Sequence, residues 1–169
     1  MTNIYLPIAG NGIADPAASI FDNPFALAFY RLLNTDPRQK RATLDPCPTL
    51  VAAARHRAAM LATMPDIAHV DPDGTTPNEI ARRFGCALPP DYPERGNGIE
   101  SLVAGTGDPQ ATFTALANSP SHAKHLFALD GDGRADAYYG RQNACGIAML
   151  ELTGSRWGWY WVVLLAPCG

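Results

Sequence analysis

Apolar positions recur at two periods along the chain, and each period marks its own kind of element. "NPFALAFYRLLN" is apolar at helical spacing and predicts a first helix. "CPTLVAAARHRAAMLATM" is Ala-rich, with Leu50, Ala54, Ala58 and Leu61 able to share one face, and is the strongest helix in the sequence. His56, between two arginines, falls on its solvent side. In "TTPNEIARRFG", Thr76 caps a helix, Pro77 takes its first position and Glu79 closes a capping box. "DPQATFTALANSP" is a further helix, capped by Asp108 and closed by Pro120. The pattern then changes. "IESLVAG" reads as a short strand, and "ACGIAMLEL" and "RWGWYWVVLLAP" as two strands joined through "TGS" in a compact hairpin. Trp157, Trp159 and Trp161 alternate, so all three should form a structural stripe on one face. Residues 1–23 show no periodicity and predict an extended tail. One domain spanning 24–169 follows, of the α+β class, as a three-layer α-β-α sandwich with the terminal strand pair at the centre of its sheet.

Composition narrows the function classes. The 169 residues are 47% hydrophobic and 17% charged, as expected of a folded globular domain. A net charge of -3 and a pI near 5.7, with no Lys/Arg-dense stretch to neutralise phosphates, argue against nucleic acid as a partner. The most basic run, "RLLNTDPRQKRATL", reads as a solvated helix end and loop. No stretch approaches the length of a membrane span, and the chain shows no signal-peptide pattern. Cys47, Cys86, Cys145 and Cys168 lack CxxC spacing, so two disulfides are favoured over a zinc knuckle or four buried thiols. Three connectivities are possible. Cys145 and Cys168 fall at the ends of adjacent strands, which favours that pair together with Cys47–Cys86. Disulfides place the protein in an oxidising compartment.

Three polar residues interrupt otherwise structural segments: His69 before a turn, Glu100 in an apolar strand, and His122 after the helix-breaking "NSP". Two histidines and a carboxylate suit a divalent metal, zinc or magnesium, and also suit acid–base work. Asp130, Asp132 and Asp136 in "DGDGRAD" offer oxygens for a calcium ion, with an Asp/Gly surface turn as the equal alternative. GxSxG, P-loop and HExxH patterns are absent.

Taken in order, "HVDPDGTTP", "GIES", "NSPSH", "GIA" and the closing "WYW" strand resemble the CAP superfamily (cysteine-rich secretory proteins, antigen 5 and pathogenesis-related proteins), in particular its bacterial SCP-like branch. The likeness spans about residues 24 to 167. It implies an α-β-α sandwich with a central cleft, in which His69 and His122 match the two cleft histidines and Glu100 matches the glutamate of a Gly-Glu-Asn pattern. Here that pattern reads Ile99-Glu100-Ser101. The second acidic residue of animal and plant members falls near Ser119, with Asp73 and Glu79 as substitutes close in sequence. The resemblance implies a secreted binding module taking a divalent cation, a small molecule or a lipid, or engaging a cell-surface or protein partner. The alternatives are a hydrolase using metal- or His-activated water with Glu100 as base, and a domain whose cleft is vestigial.

Overall fold

The computed structural model describes residues 15–168, so most of the predicted tail lies outside the described residues. Helix begins sooner than predicted, because Asp15 accepts the Ala17 N–H and Pro16 opens α1 (Pro16–Ile20). The same device recurs. α2 (Pro24–Thr35), α3 (Pro48–Thr63), α4 (Pro77–Arg83), α5 (Pro109–Asn118) and α6 (Pro120–Phe127) each start on a proline, whose missing N–H costs nothing in a first turn. The predicted capping box forms, with the Glu79 carboxylate accepting the Thr76 N–H at 2.8 Å. Pro120 does not merely close a helix: Ser119 ends α5 and caps α6. A short α7 (Ala137–Gly140) completes the helices.

Four strands form one mixed sheet: β1 (Asp45–Pro46), β2 (Glu100–Ala104), β3 (Ala144–Glu151) and β4 (Trp159–Ala166), in the order β1-β3-β4-β2. β1 runs parallel to β3 and the other pairs are antiparallel. The β3–β4 pair is central, as predicted, though its connection is the longer Leu152–Gly158. Alternation along the strands divides the core in two. Cys145, Ile147, Trp161, Val163 and Leu165 pack under α2, α5 and α6. Ala144, Ala148, Tyr160, Val162 and Leu164 pack under α3 and α4. Helices on both faces of a mixed sheet make the fold α+β.

The register also corrects three expectations. The disulfide is Cys86–Cys168, spanning 82 residues, while Cys47 and Cys145 are free. Cys145 pairs with Leu165 and faces the α2 side, whereas Cys168 lies beyond β4 on the α4 side beside Cys86. Adjacent strand ends did not mean the same face. Trp157 lies before β4, leaving Trp159 and Trp161 to form the stripe. Arg41, in the basic run read as solvated, is buried, with its guanidinium donating to the His125 and Leu126 carbonyls at the end of α6 at 2.7 and 2.8 Å.

Candidate functional site

β2 is an edge strand, and its neighbouring residues point to opposite helix layers. Glu100 pairs with Leu164 and so faces α3, while Ser101 pairs with Val163 and faces α6. A cavity of about 170 Å³ opens at this edge, where His69, Glu100, Ser101, His122, His125 and Tyr139 converge. All three residues singled out in the sequence therefore line one cleft.

Glu100 is positioned by two neighbours. Asn97 accepts the Glu100 N–H on Oδ1 at 2.9 Å and donates from Nδ2 to the Glu100 carbonyl at 3.2 Å, fixing the entry to β2. Arg57 of α3, whose side chain is 0% exposed, donates from Nε to Glu100 Oε2 at 3.0 Å. The same guanidinium pairs with Asp71 and donates to the Ala68 carbonyl. One buried cation thus serves two buried carboxylates and anchors the loop that carries His69. The remaining oxygen, Oε1, meets His69 Nδ1 at 2.9 Å. A carboxylate accepts, so Nδ1 donates, and in the neutral ring Nε2 presents its lone pair. The turn after His69 is tight, with Gly74 N–H donating to the Asp71 carbonyl at 2.8 Å and Gly74 at φ 84°, a conformation glycine adopts without strain.

His122 sits in the first turn of α6, its Nδ1 2.9 Å from Ser119 Oγ. Burial pushes its proton affinity down, and the neighbouring His69 adds to that. Ser119 thus holds the ring from the position where the resemblance implies an acidic residue. Asp73 and Glu79 do not reach the cleft. Their oxygens accept the Thr75 and Thr76 N–H groups at 2.9 and 2.8 Å.

The carboxylates of the expected cleft set and of the expected calcium loop have protein partners in this structure. Among the described residues, no group of three or more His, Cys, Asp and Glu side chains is placed to hold a metal ion. Both Glu100 oxygens are engaged, so it orients His69 and leaves two imidazoles as donors. In "DGDGRAD", Asp130 Oδ1 accepts the Asp132 and Arg134 N–H groups, each at 2.8 Å, Asp132 pairs with Arg134, and Asp136 Oδ1 caps α7 through the Tyr139 N–H. The loop spends its carboxylates on its own turn.

Sequence reasoning missed Arg57, Asp71 and the Ser101–His125 pair. Arg57 had a signal, since it lies seven residues after Leu50 and four before Leu61, on the buried face. Ser101 Oγ lies 2.7 Å from His125 Nδ1, the distance of a nucleophile–base pair. Burial drives the His125 proton affinity down to about 3, which makes it a poor base at neutral pH. Both residues line the cleft floor.

No protein-family model matches the chain, and no curated protein matches it. Among solved structures, an outer surface protein from Borrelia burgdorferi is similar, with a TM-score of 0.55 and 22% identity over 90% of this chain and 93% of that one. At that identity the likeness concerns the fold alone.

Proposed function

We propose that this chain is an exported binding domain of CAP type whose cleft takes a divalent transition-metal ion at His69 and His122. The reading rests on one observation. Both rings line the same cavity with Nδ1 already engaged, by Glu100 and by Ser119, leaving both Nε2 atoms without a protein partner among the described residues. Metal-binding histidines are held in this way, because the outer hydrogen bond sets tautomer and orientation. Two imidazoles favour zinc over magnesium, which prefers hard oxygens. The remaining positions would be open to water or to a small oxygen-bearing ligand. Hydrolysis by activated water is the weaker reading, since the Glu100 carboxylate is occupied by Arg57 and His69. Export is supported by the disulfide.

Zinc titration followed by calorimetry tests this. Wild type should bind one equivalent, and His69→Ala and His122→Ala should each abolish binding while remaining folded. Ser119→Ala should weaken binding about tenfold by freeing the His122 ring, and magnesium should not bind. A wild type that ignores zinc, or alanine variants that bind as it does, would sink the proposal.

A further inference from the structure

On the side of the sheet away from the cleft, β3 is an edge for most of its length. β1 pairs with it only at Ala144 and Cys145, because the chain turns into α3 at Cys47 and Pro48. Alternation along β4 decides which groups of β3 are left over. The Leu165 N–H donates to the Ile99 carbonyl at 2.9 Å, so Leu165, Val163 and Trp161 turn their backbone groups towards β2. Leu164, Val162 and Tyr160 therefore serve β3, opposite Gly146, Ala148 and Leu150. The backbone groups of Cys145, Ile147 and Met149 point the other way. The Cys145 carbonyl accepts the Cys47 N–H at 2.8 Å, and the Met149 carbonyl accepts from Asn23 Nδ2 at 3.3 Å. The Cys47 carbonyl, next in line for the Ile147 N–H, is turned into α3 and accepts from Val51 at 2.9 Å. Ile147 is only 1% exposed, yet neither its N–H nor its C=O has a partner among the described residues.

A cavity of about 280 Å³ lies along this stretch of β3. Phe21 and Ala26 wall it on one side, Val51 and Ala58 on the other. A buried donor and acceptor left unpaired between aliphatic walls are costly, and they define what fits. A hydrocarbon satisfies the walls and leaves the backbone groups unpaired. Water satisfies the backbone groups and not the walls. One residue of an extended peptide offers Ile147 both a carbonyl and an N–H, and its neighbours supply side chains to both walls.

Charge narrows the occupant further. Asp22, just before α2, and Arg55, on α3, meet at the rim of the cavity as an exposed ion pair. Such a pair contributes little to stability, so it opens at small cost. Once open, it presents a carboxylate on the α2 side and a guanidinium on the α3 side. Successive residues of a strand point to opposite faces. An acidic residue next to a basic one in the occupant therefore meets both rim charges. We infer that this slot takes an extended segment of a partner protein, a short run of small apolar residues beside an acidic–basic pair, added to β3 as a strand at Ile147.

Amide hydrogen exchange by NMR on the full chain tests the inference, with acetyl-Val-Ala-Val-Glu-Lys-amide as the probe. In the free protein the Ile147 amide should exchange at least about tenfold faster than that of Ala148, which pairs with Val162. Saturating peptide should slow Ile147 by at least about tenfold, while Val103 on the far side of the sheet keeps its rate. Two N-methylated probes separate strand addition from apolar contact. One is methylated at its first, third and fifth amides, the other at its second and fourth. Only one set can face β3, so one probe should bind like the parent and the other should not bind. Exchanging the rim charges in Asp22→Arg/Arg55→Asp should weaken the parent peptide about tenfold and favour its Lys-Glu isomer. An Ile147 amide as protected as Ala148 in the free protein would show the slot already filled, and the inference would fall. No effect at Ile147 at about millimolar peptide, or two methylated probes that bind alike, would overturn it equally.

Discussion

His125 is held on the inner side of α6, with Nδ1 on the Ser101 hydroxyl and its ring edge towards Tyr139, 5.9 Å between centroids. Burial, with Arg41 nearby, lowers its proton affinity from 6.5 to about 3. The unfolded chain therefore binds a proton between those values that the folded chain does not. Stability from this group is fully present above pH 6.5 and is lost as pH falls towards 3, at about 1.4 kcal/mol per pH unit. Urea unfolding at several pH values should show that slope, and His125→Gln, which can keep the Ser101 hydrogen bond, should flatten it. An unchanged slope would assign the titration to other groups. His122 shifts in the same direction, so some slope should survive in the variant. At this scale the sequence was legible where a residue broke a pattern. His69, Glu100 and His122 stand out against apolar or turn-forming neighbours, and all three line the cleft. Arg57 conformed to its surroundings as one of three polar residues in "RHR", and only its place on the α3 stripe distinguished it. His125 lies three residues beyond His122, and no local pattern marks it as the buried ring of the two.

Elements were legible where proline and alternation marked them. The Asn-Pro, Thr-Pro and Asp-Pro starts of α2, α4 and α5 show in the residues, because cap and first turn are local chemistry. Which strands paired, and which face each cysteine took, depended on register. A single position of slip exchanges one face for the other, and that is why the expected cysteine pairs were wrong. Gly146 records a second non-local constraint. It faces the α3 layer, and a Cβ there would overlap the Leu50 backbone, so α3 lies on β3 at a distance only glycine permits. Gly146→Ala must push the two apart, and α3 carries Arg57, which holds Glu100. We expect a loss of about 3 kcal/mol in denaturant unfolding. Zinc binding should weaken with it, because α3 movement releases the carboxylate that orients His69. Full stability in the variant would mean that the helix lies looser on the sheet than this packing implies.

For the molecule as a whole, the Cys86–Cys168 bond decides how the layers stay together. It joins the loop after α4 to the residue beyond β4, and so ties the α3–α4 layer to the central strand of the sheet. The closed loop of 82 residues contains the strand bearing Glu100, the helix bearing His122 and the whole β3–β4 hairpin. His69 lies outside it, on the segment joining α3 to α4. In the chain-entropy account, a cross-link over that length restrains the unfolded state by about 4.5 kcal/mol. Cys86→Ser/Cys168→Ser should lose stability of that order, and wild type should show a matching fall in melting temperature under reductant. Cys145 offers no rescue by exchange, because burial raises its proton affinity and it lies on the other face of the sheet. Cleft and bond meet only through the stability of the fold they share. In the variant, the proposed zinc should still bind the folded fraction with wild-type affinity, since Arg57, Glu100 and Ser119 are untouched, and it should raise the melting temperature only with the logarithm of one plus its concentration over Kd. A variant as stable as wild type would show that the unfolded chain is already constrained. A folded variant unable to bind zinc would show that the bond shapes the cleft directly.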